Sequence, residues 1–163
     1  MSKEGKTSVG TYKYDVLVST LKNPNKYNGK RNCLELKSSW EKAFVYYLDN
    51  NQSIINWTSE EIIIPYYNVI KQRKARYFPD FFIEYKTPKG VVKAIIEIKP
   101  YKDTLKPVVK ESQSQKSNIY NLNMFYINQM KWKSARKYCK DHDYEFFIIT
   151  EKNLNFVNFQ TNH

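Results

Sequence analysis

At 163 residues the chain is long enough to bury one substantial core and reads as a single domain. It carries 27 Lys and Arg against 16 acidic residues, and the net charge of +11 favours a polyanionic partner, nucleic acid before a membrane surface. Two distant cysteines, Cys33 and Cys139, argue against zinc and against a disulfide framework. With no recognisable signal peptide or membrane-spanning apolar run, a soluble protein acting inside a cell, or in a particle assembled there, is expected.

Residues 1–36 hold Lys, Asn, Ser, Thr, Gly and Tyr with little periodicity, and Asn23-Pro24 and Asn28-Gly29 mark turns. They are expected to form an irregular basic arm ahead of a folded domain over 37–163. Ser38–Leu48 is the first clear helix, with Trp40, Phe44, Tyr47 and Leu48 on one face. Ser38 and Glu41 fit a capping box, so Glu41 has a local structural explanation. It also lies beside the apolar stripe, close enough to Val45 and Leu48 to look along a sheet, and both readings stay open. Ile54–Trp57 and Glu60–Tyr66 read as short strands, with Pro65 at an end or edge. Lys71, Arg73, Lys74 and Arg76 lie in a basic segment that reads either as a phosphate-contacting loop or as a solvated charge run.

The centre of the chain is a hairpin. Arg76–Tyr85 and Val91–Lys99 are rich in aromatic and β-branched residues, and Thr87-Pro88-Lys89-Gly90 between them suits a type I turn. Asp80 rides on one arm, Glu97 and Lys99 on the other. Residues two apart in a strand share a face, so Glu97 and Lys99 project together while Ile96 and Ile98 point away. Charged groups in such apolar strands are costly unless paired or bound to a metal. Beyond Pro107 a long helix ends near Asp141, with Ile119, Leu122, Tyr126, Met130, Ala135, Tyr138 and Cys139 at three- and four-residue steps, and Tyr144–Ile149 reads as a last buried strand. This order predicts an α/β domain with a mixed sheet between helices.

Two carboxylates on adjacent strands suit Mg²⁺ or Mn²⁺, hard ions that prefer oxygen ligands. Asp80 and Glu97 supply them, the Ile98 carbonyl is a possible further ligand, and Glu41 from the helix would complete an acidic pocket. Lys99, on the face of Glu97, would point at the scissile phosphate or the attacking water.

Pro79-Asp80 followed seventeen residues later by Glu97-Ile98-Lys99 resembles the motif of the PD-(D/E)XK nuclease superfamily. Ser39-Trp40-Glu41, Trp57-Thr58-Ser59-Glu60, Ile64-Pro65-Tyr66, Arg76-Tyr77-Phe78-Pro79-Asp80-Phe81, Ile96-Glu97-Ile98-Lys99-Pro100 and Lys131-Trp132 extend the likeness. Together they resemble the head-completion nucleases of T4-like tailed phages and, more distantly, the endonuclease subunit of Tn7-type transposition, over residues 20–155. The resemblance implies a restriction-endonuclease-like fold and a metal-dependent DNA endonuclease that finishes the DNA-filled head. It also implies phage head, portal or neck partners, and work in the host cytoplasm or the head–neck region of the virion. It assigns Glu41, Asp80, Glu97 and Lys99 to the active site. Ala75 stands where relatives would carry a polar residue, and the first residues do not align clearly. Lys131 and Lys133 are further candidates to face DNA, Lys131 the better one because the Lys-Trp pair follows the family pattern. A DNA-end or portal-binding protein without turnover, and a cellular repair or restriction nuclease, are the alternatives. His142 and His163 lack metal-spaced partners and read as surface residues; Trp132 reads as core.

Overall fold

The computed structural model describes residues 4–6 and 12–153. In chain order the elements are β1 (Glu4–Lys6), β2 (Tyr12–Leu17), β3 (Cys33–Leu36), α1 (Ser39–Asn50), β4 (Ile54–Ser59), β5 (Ile64–Asn68), β6 (Arg73–Tyr77), β7 (Phe81–Thr87), β8 (Gly90–Ile98), α2 (Gln115–His142) and β9 (Glu145–Ile149). The central sheet has the order β4-β7-β8-β9: β7 is antiparallel to β4 and β8, and β9 runs parallel to β8 after the α2 crossover.

The two faces of this sheet follow from alternation along its strands. Ala94 and Ile96 of β8, with Phe81, Ile83 and Tyr85 of β7, meet Phe44, Val45 and Leu48 of α1. Ile95 between them turns to the other face, where Trp132, Ala135 and Cys139 of α2 pack. A period of two thus divides the interior into two clusters with a helix over each. Glu97 and Lys99 fall in phase with Ile95, and Ile98 packs with the α1 cluster.

Pro79 changes the expected central strand. Arg76–Tyr85 is not one strand: β6 ends at Tyr77, Phe78-Pro79-Asp80 breaks the ladder, and β7 begins at Phe81. A proline has no N–H to give a central ladder, so the chain changes sheets there. β6 pairs with β5 as a separate two-stranded hairpin against α2, while β7 enters the main sheet. The segment expected as a basic loop is therefore mostly strand; only Lys71 stays in the turn, and Arg73, Lys74 and Arg76 lie on β6. The β7–β8 turn closes as expected, with Gly90 at a φ of 130° that a side chain would strain.

Residues 12–36 are not an irregular arm. β2 pairs with both β1 and β3, and Val16, Leu21, Leu34 and Leu36 are buried in the α1 cluster. The segment is fastened to the end of α1 by Asp49, which accepts the backbone N–H groups of Lys22 at 2.8 Å and Asn23 at 2.7 Å. The Lys26 ammonium donates to the carbonyls of Asp49 and Asn51 at 3.0 and 2.7 Å, satisfying helix-end acceptors with a cation. The helix faces also need correction. Trp40 is exposed at the mouth of a cleft while Val45 takes its place in the core, and Ile119 and Tyr126 on the first half of α2 face outward. Among the described residues no helix is long and apolar enough to cross a membrane. Trp132 is core, as expected, and His142 is exposed, stacked on Tyr138; His163 lies outside the described residues.

Candidate active site

The break at Phe78-Pro79-Asp80 sets Asp80 at the head of β7, facing the end of β8. Its Oδ2 accepts at 2.7 Å the backbone N–H of Ile98, the residue between Glu97 and Lys99, so the two halves of the motif are joined directly. Lys99 Nζ lies 3.8 Å from Glu97 Oε1, as their shared strand face requires. Tyr77, the last residue of β6, donates its hydroxyl to Glu97 Oε2 at 2.5 Å and fixes that carboxylate from the α2 side. Glu41 comes to the same place from the first turn of α1. Ser38 caps the helix by accepting the Glu41 N–H at 3.1 Å, and Glu41 in return accepts the Ser38 hydroxyl and the Lys37 N–H, each at 3.1 Å. Glu41 thus closes the helix end and is also buried against the cleft.

These side chains line a cleft of about 680 Å³, with Lys37, Trp40, Arg76, Phe78 and Lys131 on its walls. Burial, with the like charges of Glu97 and Glu41, pushes Asp80 well above the usual carboxylate range, against the pull of the Ile98 N–H and Lys99. Burial raises Glu41 also, opposed by its hydrogen bonds to Lys37 and Ser38. Burial and the adjacent Glu97 raise the Tyr77 phenol, which keeps it a donor. On the opposite wall burial lowers Lys131, while Glu97 and Asp80 pull it back up. The site is an acidic floor under a cationic rim, which suits a hard cation below and a phosphate above. Among the described residues no three His, Cys, Asp or Glu side chains are gathered closely enough to hold a metal ion by themselves.

Of the residues singled out from the sequence, Glu41, Asp80, Glu97, Ile98, Lys99, Arg76 and Lys131 line this cleft. Lys71, Arg73, Lys74 and Lys133 do not; all four are exposed, the first three on the β5–β6 hairpin beside the cleft and Lys133 further along α2. Glu60 and Glu61 are occupied elsewhere, Glu60 by Lys37 at 2.6 Å and Arg31 at 3.5 Å, Glu61 by the Lys30 N–H at 2.8 Å. Tyr77, Lys37 and Trp40 are site residues that the sequence reading missed. Tyr77 carried a faint signal, since a polar hydroxyl at a buried strand end needs a partner.

The family model that describes the TnsA-like endonuclease N terminal matches residues 51–151, a span that holds Asp80, Glu97, Lys99 and Lys131. The chain is 33% identical over 142 residues to the head completion nuclease of Enterobacteria phage T4, covering 85% of this chain and 93% of that protein. No solved structure matches it significantly. The mixed sheet flanked by helices is of the restriction-endonuclease-like type to which the TnsA-like domain belongs.

Proposed function

The chain belongs to the TnsA-like endonuclease family, and from that premise we propose that it is a Mg²⁺- or Mn²⁺-dependent DNA endonuclease acting in the completion of phage heads. The observation that carries the reading is the bond from the Ile98 N–H to Asp80, which sets one carboxylate against Glu97 and Lys99 on the floor of a cleft rimmed by cations. Asp80 and Glu97 would hold the ion, with the Ile98 carbonyl as a further oxygen. Glu41 would complete the acidic wall, directly or through water. Two carboxylates suffice for Mg²⁺, which retains several waters and takes its other ligands from substrate phosphate. When bound, such an ion lowers the pKa of a water and polarises a phosphodiester oxygen.

The chain's own groups have separate tasks. Lys99 positions the attacking water and offsets charge building on the phosphate. Tyr77 holds Glu97 in orientation, as outer hydrogen bonds do for metal-binding carboxylates. Arg76 and Lys131 hold the strand at the cleft, and Lys71, Arg73 and Lys74 carry the phosphates beyond it along the hairpin. Lys133 adds a contact further along α2. Such contacts grip the backbone without reading sequence, so binding weakens steeply with salt. The role in head completion rests on the T4 relative and brings head, portal or neck proteins as partners in the host cytoplasm.

Nicking of supercoiled plasmid with Mg²⁺ or Mn²⁺, by the parent, Asp80→Ala and Lys99→Ala, tests the reading, with binding to the same DNA measured in EDTA. Metal-dependent nicking lost in both variants, with binding retained, is the expected result. Tight binding by a parent that cuts neither plasmid, linear nor branched DNA would overturn it in favour of a DNA-end-binding protein.

A further inference from the structure

Beside the cleft lies a second cavity of about 390 Å³, between the first half of α2 and the loop that follows β8. Lys99 and Asp103 line both spaces, so the cavity begins where the acidic site ends. Its walls include Pro107, Met124, Phe125 and Tyr120, a residue that is 64% exposed. Asn128 also lines it. That residue is only 6% exposed, at the side of the cavity formed by α2. Its side-chain amide offers two donors and an acceptor to whatever fills the cavity. Lys102 stands at the same cavity with Lys99.

Two aromatic rings, a donor–acceptor amide and two lysines around one cavity match one ligand class. We infer that this cavity takes the base of an unpaired nucleotide next to the scissile phosphate. The base lies against Tyr120 and Phe125, Asn128 pairs with its Watson–Crick edge, and Lys99 and Lys102 meet the flanking phosphates. Asp103 adds an acceptor that an exocyclic amine can meet. A base inside a duplex cannot enter, since its edge is paired and both faces are stacked, so the nucleotide must be single-stranded or displaced. This rests on the endonuclease reading and narrows it: the preferred substrate carries unpaired nucleotides at the cut, as at an end, gap or junction.

The test measures affinity by fluorescence anisotropy in EDTA, for a blunt duplex and for the same duplex interrupted by a short single-stranded gap. The parent, Asn128→Leu and Tyr120→Ala are compared, and thermal melts check folding. The parent should bind the gapped DNA about tenfold tighter than the duplex, the scale of stacking one base on an aromatic ring. Both variants should lose that preference while keeping the duplex affinity. Equal affinity of the parent for the two DNAs overturns the inference, as does a preference that survives Tyr120→Ala, an exposed position where folding is not at issue. Cleavage with Mg²⁺ is scored separately. A parent that cuts without preferring the gap leaves the nuclease reading standing and removes the base site. A mutation-sensitive preference without cleavage does the reverse.

Discussion

Asp80 accepts the backbone N–H of Ile98, so the carboxylate is fastened to the strand that carries Glu97 and Lys99. The bond needs an acceptor, not a charge. Asp80→Asn should keep it while removing the negative charge that burial, Glu97 and Glu41 disfavour. Cleavage should fall at least about 100-fold, since an amide is a poor ligand for a hard ion. In EDTA the Asn variant should melt above the parent, each 1 kcal/mol being worth about 2–4 °C in a chain of this size. Asp80→Ala also strands the Ile98 N–H, at about 1–3 kcal/mol, and should melt below the Asn variant. An Asn variant less stable than the parent would mean that the charge is compensated in the free protein.

Tyr77→Phe separates orientation from presence. It removes the hydroxyl that holds Glu97 Oε2 and leaves the ring in the α2 cluster. The Mg²⁺ concentration for half-maximal cleavage should rise about 10- to 100-fold, the usual cost of losing an outer hydrogen bond to a metal ligand. DNA affinity in EDTA should not change. An unaltered metal dependence would assign Tyr77 to packing alone.

The motif was legible because local rules fix it. Alternation along Val91–Lys99 places Glu97 and Lys99 on one face whatever surrounds them, and Ser38 with Glu41 announces the helix start. The break at Pro79 was legible in principle, since a proline argues against a central strand, but the apolar run on both sides masked it. Residues 12–36 were not legible. Val16, Leu21, Leu34 and Leu36 have no period, and what orders them is distant: Asp49, 26 residues beyond Asn23, and the α1 face. Tyr77 read as one more strand aromatic because its partner, Glu97, is 20 residues away.

Lys131 and Lys133 look equivalent in sequence, but buried Trp132 lies between them and they point apart. Lys131 is half-buried at the cleft, its Nζ 5.6 Å from the Tyr77 ring and 6.0 Å from the Tyr66 ring, whereas Lys133 is exposed. Lys131→Met keeps the stem over those rings and removes the charge. It should lower the single-turnover rate at saturating DNA about 10- to 100-fold, as expected for a cation close to the reacting phosphate. Lys133→Met should leave that rate alone, raise Kd modestly and flatten the salt dependence of binding by about one unit of slope. Equal effects of the two on rate would place both lysines in general backbone binding.

Asp49 tests whether the early strands are part of the stability of the whole. It is 1% exposed and accepts two backbone N–H groups from the segment between β2 and β3. Asp49→Ala would leave both donors without their acceptor, at about 1–3 kcal/mol each where water cannot reach them. Urea unfolding should show a loss of about 2–4 kcal/mol, with the m-value unchanged if the protein still unfolds as one unit. Lys22→Ala supplies the control, since Lys22 contributes its backbone and not its side chain, and an exposed position should change stability by less than about 0.5 kcal/mol. Lys26→Met removes the ammonium from the carbonyls at the end of α1 and should fall between, near 1 kcal/mol. A small effect of Asp49→Ala, with plasmid nicking intact, would mean that residues 12–36 are held by their apolar contacts alone.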